Sequence, residues 1–159
     1  PIRVTGLGGV DYWKDGRDTY DNIHLLYEYP NGIKAKFTSL TSNAMDDYKI
    51  KVLGDKGTII LDYNKASFYP EGKENKELGN VDGVAGATVK WDEDKGIPIE
   101  VNHEGPSKQA LIDFKDSIFT NKQPISDIIS GAKAAICVQM ALDAMHNDKI
   151  AYWPSSSNL

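Results

Sequence analysis

Residues 13–18 read Trp-Lys-Asp-Gly-Arg-Asp and place one aromatic side chain beside two cations and two carboxylates. An indole can stack on the face of a sugar ring, and Lys or Arg can donate hydrogen bonds to hydroxyl or carboxylate groups. The segment lies between predicted strands, and loops that rigid elements hold often carry function. We therefore predict a polyol-binding loop in which Trp13, Lys14 and Arg17 contact the ligand. The alternative is a surface loop in which one of the two aspartates pairs with Arg17.

A second candidate precedes the first predicted helix, where residues 102–104 read Asn-His-Glu. A side chain at this place could point into a pocket at the helix N-terminus, so we include His103 among the predicted substrate-binding residues. A helix cap or an exposed surface position is the simpler interpretation of the same segment.

Other motifs resemble cofactor or metal sites but fail on spacing. Residues 6–9 read Gly-Leu-Gly-Gly, yet Asp11 stands where the dinucleotide fingerprint needs its third glycine, and a turn follows instead of a helix. Residues 54–58 hold the components of a P-loop in the wrong order, and residues 92–96 place the glycine of a calcium loop one position early. The three histidines and Cys137 have no metal-ligand spacing. We predict no catalytic, cofactor-binding or metal-binding residue in this chain.

The composition is that of a globular domain. The 159 residues carry a net charge of −5 and contain no block of basic residues, which argues against a nucleic-acid partner. No apolar run approaches the roughly 20 residues of a membrane span. The single cysteine, Cys137, excludes an internal disulfide and is predicted to be a buried structural thiol. The chain begins at Pro1, so we expect it to start within a longer protein or to have been trimmed.

Two β-hairpins are predicted in the first half of the chain. Residues 22–29 and 33–42 alternate apolar and polar positions on either side of Pro-Asn-Gly, residues 30–32, whose Asn-Gly pair tolerates positive φ. Residues 48–53 and 58–63 form the second hairpin around a Gly-Asp-Lys-Gly turn. Further strands are predicted at residues 3–5, 66–69, 88–91 and 150–153, with a polar excursion over residues 71–86.

Two helices follow. The first begins at Pro106, carries an apolar stripe of Leu111, Phe114 and Ile118, and ends before Pro124. The second is predicted to have Ser126 as its N-cap and Asp127 in its first turn, and it runs to about His146. Strands followed by helices indicate an α+β fold: one domain over residues 1–154 and a tail over 155–159. We expect a large, mostly antiparallel open sheet with both helices packed on one face.

The opposite face of such a sheet would be left uncovered. Ile23, Leu25 and Tyr27 share one side of a strand and Leu26 lies on the other, so both faces carry apolar residues. Two helices on one face leave the other face uncovered. An uncovered apolar patch of more than a few hundred Å² usually marks an interface. We therefore predict a homodimer that forms through the open sheet face.

Several of these segments, taken in order, resemble one family. They are the Gly-rich first strand, residues 13–18, the Tyr-Asp-Asn before the next strand, Tyr-Pro-Asn-Gly at 29–32, Ser-Asn at 42–43, Leu-Gly-Asp-Lys-Gly-Thr-Ile at 53–59, Asn-Lys-Gln-Pro at 121–124, the Ala-rich helix and residues 150–153. Over nearly its whole length the chain resembles the C-terminal domain of Gfo/Idh/MocA oxidoreductases, in particular bacterial sugar dehydrogenases.

The resemblance implies a parent protein with a separate N-terminal Rossmann domain that binds NAD or NADP and carries a catalytic Lys in a Glu-Lys-Pro motif. Neither that motif nor the family's Asp-x-x-x-His occurs here, so the chain alone is expected to bind no cofactor and to catalyse nothing. It implies hydride transfer to or from a sugar or polyol, loops of this domain at the substrate site, and a cytoplasmic enzyme. The competing class is a free-standing α+β small-molecule-binding or interaction module without enzymatic activity.

Overall fold

A computed structural model describes residues 1–45, 47–63, 65–71, 96–100 and 105–155. The chain divides into two compact units. The first contains residues 1–45 and 107–159, and the second contains residues 46–106. The predicted α+β class with antiparallel strands is confirmed, and the strands are distributed over two four-stranded sheets, one in each unit. The domain limits at residues 1–154 and the tail remain predictions.

The first sheet has the strand order β3-β2-β1-β8, with every neighbouring pair antiparallel. Its strands are β1 (Arg3–Gly9), β2 (Asn22–Glu28), β3 (Lys34–Leu40) and β8 (Ala151–Tyr152). The predicted hairpin of β2 and β3 is confirmed. Its turn is a short 3-10 segment, Pro30–Gly32, in which Asn31 and Gly32 have φ of 66° and 80°. Only residues that tolerate positive φ allow so short a reversal, which is why the Asn-Gly pair indicates the turn.

The core of the first unit lies between this sheet and α2 (Ile128–His146). One face of the sheet and one side of the helix supply the buried residues, which are Val4, Leu25, Met140, Ala141, Ala144, Met145 and Ala151. Gly8 faces the helix in the middle of this contact. A Cβ atom there would lie 2.7 Å from the ring of Tyr20 and 2.9 Å from the sulfur of Met145. The glycines of β1 therefore permit close packing of strand and helix.

The two helices differ in how they are capped and packed. Asp127, and not the predicted Ser126, is the N-cap of α2, and its carboxylate accepts a hydrogen bond of 2.8 Å from the Ser130 N–H. The prediction was wrong by one residue because the carboxylate of Asp127 is the group that reaches the free amide at the third helical position. Helix α1 (Pro106–Thr120) begins as predicted, but none of its residues is buried, and Leu111, Phe114 and Ile118 are exposed.

Helix α2 is, by length and composition alone, long and apolar enough to cross a membrane, with 19 residues and a mean hydropathy of 1.4. The sequence predicts no membrane span here because polar and charged residues, among them Lys133 and Asp143, interrupt the apolar run. The core helix of a globular domain passes the same test, and α2 packs Met140, Ala141, Ala144 and Met145 against the sheet. The helix therefore does not by itself indicate a membrane protein. On its sheet-facing side Cys137 is half-buried, not fully buried as predicted.

The second unit contains a four-stranded antiparallel sheet in the order β4-β5-β6-β7. The strands are β4 (Ile50–Gly54), β5 (Gly57–Leu61), β6 (Ala66–Pro70) and β7 (Ile97–Ile99). The predicted hairpin of β4 and β5 and the predicted strand at 66–69 are confirmed. The predicted strand at 88–91 and nearly all of the excursion at 71–86 lie outside the described residues, as does most of the segment 92–96.

Candidate functional site

The predicted ligand loop connects β1 to β2 and is anchored to the sheet at its far end. Asp21, the last residue before β2, donates its backbone N–H to the carbonyl of Gly9 at 3.0 Å. Its own carbonyl accepts the N–H of Thr41, just beyond β3, at 3.0 Å. The loop therefore closes over the ends of three neighbouring strands, which fixes where its side chains lie.

The side chain of Asp21 lies beneath the loop. Asp21 is the buried charged residue of the part of the chain that the structure describes, with only 2% of the residue exposed. Its two oxygens accept three backbone hydrogen bonds, from Asp11 and Tyr12 at 3.0 Å and from Trp13 at 2.8 Å. Donation by the Trp13 N–H is the largest of the effects that hold the pKa of Asp21 below its usual range; the other two amides and Lys14 act in the same direction. Sequence reasoning missed this residue.

Trp13 stands at the centre of the loop with 40% of the residue exposed. Its indole N–H donates to the hydroxyl of Thr41 at 3.2 Å, a second contact that sequence reasoning missed. The ring of Tyr12 meets it edge to face, with ring centroids 5.0 Å apart. The indole is therefore held by its main chain, its nitrogen and one ring neighbour, while much of its surface is still open to a ligand.

Arg17 folds back over Trp13, with its guanidinium carbon 5.3 Å from the centre of the indole ring, within cation–π range. The same guanidinium makes a two-point contact with Asp15, in which Nε lies 2.8 Å and one terminal nitrogen 2.5 Å from the two carboxylate oxygens. Gly16, between the two residues, has φ of +88°, which permits the tight reversal. The pairing proposed as the alternative interpretation is thus present, and Asp15 is the aspartate that makes it.

The two-point contact predicts a shifted titration for Asp15. Hydrogen bonding from Arg17 lowers the pKa of Asp15 to about 2. Since the folded pKa is depressed, the ion pair contributes its full stabilisation above the ordinary carboxyl pKa of about 3.9. This stabilisation is lost as the pH falls toward 2. In Arg17→Ala, carbon NMR of the Asp15 carboxyl should show the pKa rising toward about 3.9, although the backbone N–H of residue 17 still donates to the carboxylate. An unchanged low value in the variant would show that another group holds the carboxylate.

Lys14, the third predicted residue of the loop, is placed less favourably for ligand binding. The ammonium group of Lys14 donates to the backbone carbonyl of Val10 at 2.6 Å, so it is turned toward its own loop. His103 lies outside the described residues. The structure thus brings together Trp13 and Arg17 from the predicted set. Arg17 also lines a shallow surface depression of about 420 Å³, together with Asp15, Gly16 and Thr19.

The glycine-rich segment of β1 does not have the geometry of a dinucleotide-binding loop. The glycines at 6, 8 and 9 lie within β1 and are paired with β2, so the segment does not open a helix whose free amides could bind a pyrophosphate. Among the residues that the structure describes, no group of three or more His, Cys, Asp or Glu side chains could hold a metal ion. What the loop offers instead is an aromatic platform, a cation and carboxylate acceptors.

Comparison with known proteins identifies the family. Residues 3–152 match the sequence profile of the C-terminal alpha/beta domain of the Gfo/Idh/MocA oxidoreductase family. A search of curated proteins finds no significant match.

Two solved structures share the fold. An aldose-aldose oxidoreductase from Caulobacter crescentus, complexed with glycerol, superposes with a TM-score of 0.69 over 96% of this chain at 18% identity. A protein from Klebsiella pneumoniae, whose name calls it an oxidoreductase and states no substrate, superposes with a TM-score of 0.67 over 99% of this chain at 14% identity. The chain spans 41% and 46% of the lengths of those two structures. The chain therefore belongs to the Gfo/Idh/MocA oxidoreductase family and corresponds to its C-terminal α/β domain.

Proposed function

We propose that this domain supplies part of the substrate site of an NAD(P)-dependent oxidoreductase that oxidises or reduces a sugar or polyol by hydride transfer. The observation that carries the proposal is the exposed indole of Trp13, held from beneath by Asp21 and from the side by Thr41, with Arg17 stacked upon it. Family membership supports the oxidoreductase class, and a relative of the same fold is named as an aldose-aldose oxidoreductase in complex with glycerol.

The charges of the loop favour an uncharged ligand. Residues 11–21 contain four aspartates against the two cations Lys14 and Arg17. Arg17 already shares two of its nitrogens with Asp15, and Lys14 donates to a backbone carbonyl. A sugar acid or phosphate would therefore approach a surface with an excess of negative charge. A neutral polyol instead donates its hydroxyl hydrogens to carboxylates and stacks its ring on the indole.

Cofactor binding and the catalytic residues belong, in this proposal, to a Rossmann domain elsewhere in the protein, and the choice between NAD and NADP depends on that domain. The test is calorimetric titration of the chain with NAD(H) and NADP(H), with the full-length protein as the positive control. We expect heat of binding from the full-length protein only. Micromolar binding by the chain alone would contradict this assignment, and would favour a different role for the glycines of β1.

The gene sequence upstream of Pro1 provides an independent check on the same proposal. A strand followed by Gly-x-Gly and a helix is the expected pattern, because it places backbone amides against the cofactor's pyrophosphate. A start codon directly before Pro1, or a secretory signal sequence, would instead favour the free-standing binding module. We propose a cytoplasmic location; the free thiol of Cys137 is compatible with a reducing compartment.

We also propose that the domain forms a homodimer through the outer face of the first sheet, opposite α2. That face carries exposed apolar side chains, which are Leu7, Leu26, Leu40 and Tyr152. A salt-bridge cluster lies on the same face: the carboxylate of Glu28 pairs with both Arg3 and Lys34. A two-fold dimer uses the same patch on both subunits, and such interfaces have an apolar centre and a polar rim.

Light scattering at micromolar concentration tests the dimer. We expect twice the 17.5 kDa of the single chain for the unmodified protein. Leu7→Glu should give the single-chain mass, because Leu7 is 73% exposed on the outer face and a charge there opposes burial. Met45→Glu, at a position that is 84% exposed and beyond the strands of that sheet, serves as the control and should stay dimeric. A single-chain mass for the unmodified protein would contradict the proposal.

A further inference from the structure

The three backbone hydrogen bonds to Asp21 converge on one carboxylate from consecutive residues of the loop. Oδ1 accepts from Asp11, and Oδ2 accepts from both Tyr12 and Trp13. A buried ionised carboxylate is costly unless its lone pairs are used, and here uncharged amides of the loop use them. In this conformation of the loop, the three amides and the carboxylate all have hydrogen-bond partners.

The main chain of Asp21 is fixed by other means. Its N–H donates to Gly9 at the end of β1, and its carbonyl accepts from Thr41 after β3. The hydroxyl of Thr41 in turn accepts the indole N–H of Trp13 at 3.2 Å. The amide of Trp13 is thus held by Asp21 and its ring nitrogen by Thr41, and these two residues are hydrogen-bonded to each other.

We propose that Asp21 is the positioning residue of the ligand loop. Its carboxylate fixes the main chain at Trp13, so that the indole and the Arg17 guanidinium stacked on it are in place before a ligand arrives. Asp21 itself is buried and does not contact the ligand. Because ordering a loop on binding costs affinity, fixing it in advance favours binding. The inference rests on the proposed role of the loop in substrate binding.

Replacing the carboxylate with an amide tests hydrogen-bond acceptance by Asp21 while nearly preserving the shape of its side chain. Asn has nearly the shape of Asp, but one of its two terminal groups is an NH₂ that donates and cannot accept. In Asp21→Asn at least one loop amide loses its acceptor and faces another donor. Asp18→Asn makes the same change in net charge on an exposed residue of the same loop, and it is the matched control.

Fluorine NMR of the chain labelled with 5-fluorotryptophan reports on the result without any ligand. The chain contains three tryptophans, so the Trp13 and Trp153 resonances are assigned with Trp13→Phe and Trp153→Phe. In Asp21→Asn we expect it to shift and broaden while the Trp153 resonance, which reports on the core, stays unchanged. In Asp18→Asn both resonances should match the unmodified protein. An unshifted Trp13 resonance in folded Asp21→Asn overturns the proposal.

Acid titration of the unmodified chain keeps the proposal falsifiable if Asp21→Asn does not fold. The pKa of Asp21 is lowered, so its hydrogen bonds persist at neutral pH and are lost only as the pH falls through that lowered pKa. The charged groups around it are Asp11, Lys14, Asp15 and Arg17. The Trp13 resonance should move together with the carboxyl carbon of Asp21. Movement that follows the Asp15 carboxyl instead would overturn the proposal.

Kinetics of the full-length enzyme distinguish a failure of this inference from a failure of the proposed function. If Asp21 positions a loop that binds substrate, Asp21→Asn should raise KM about tenfold and change kcat less. The fluorine resonance decides whether Asp21 positions Trp13. The kcat/KM of Arg17→Ala in the full-length enzyme decides separately whether the loop binds substrate.

Discussion

Arg17→Ala is expected to lower kcat/KM of the full-length enzyme for its sugar or polyol at least tenfold, with folding nearly unchanged. The substitution removes the cation from the face of Trp13 and the two-point contact with Asp15. Both partners of that ion pair are substantially exposed, and exposed pairs contribute little to stability. Loss of activity without loss of stability would therefore indicate that Arg17 acts on the ligand.

The matched control for Arg17 is Lys115→Ala. Lys115 is also an exposed cation paired with a carboxylate, 3.3 Å from Asp116, but it lies on α1 and outside the loop. We expect its kinetic constants to equal those of the unmodified enzyme. Steady-state kinetics and thermal melts on both variants decide the question. Unchanged kinetics in Arg17→Ala together with a lower melting temperature would assign Arg17 to a structural ion pair.

Two glycine-to-alanine substitutions should change the stability of the chain in opposite directions. At Gly8 a methyl group would lie 2.7 Å from Tyr20 and 2.9 Å from Met145, so these side chains or the strand itself must shift. Overpacking of this kind costs about 1–3 kcal/mol of the free energy of unfolding. At Gly131, within α2, a methyl group meets nothing within 4 Å. There alanine should stabilise by about 0.5–1 kcal/mol, because it favours the helical conformation over the unfolded chain.

Urea unfolding, monitored by circular dichroism, measures both variants against the unmodified chain. A decrease in the midpoint for Gly8→Ala and an increase for Gly131→Ala, with similar slopes, is the expected pattern. If Gly8→Ala were neutral, the side chains of Tyr20 and Met145 would make room for the methyl group without loss of packing. If Gly131→Ala were destabilising, another group would have to lie against α2 at that position.

Local structure was predictable where one signal acts alone. The hairpin of β2 and β3 follows from strict alternation on either side of Asn31-Gly32, whose positive φ values the turn requires. The hairpin of β4 and β5 follows from the same kind of pattern. The N-cap of α2 was misplaced by one residue because Ser126 and Asp127 are both good caps, and only the backbone path shows which side chain reaches the Ser130 amide.

The candidate site was predictable in part. An aromatic residue beside cations and carboxylates suggested Trp13 and Arg17 from their types alone. The same pattern gave Lys14 equal weight, although its ammonium group is turned back onto Val10. It gave Asp21 none, because a lone aspartate before a strand looks like any turn residue until its burial and three amide donors are seen.

Four features could be predicted from residue periodicity, turn chemistry and the order of short motifs: the α+β class, the two hairpins, the start of α1 and the resemblance to the family. The folded chain was needed to show how the strands divide between two sheets and which glycines must stay small. It was also needed to show which aspartate pairs with Arg17 and which lies beneath Trp13. The reason is physical: burial and long-range hydrogen bonds join residues far apart in the chain, such as Trp13 and Thr41, and no local pattern encodes their distance.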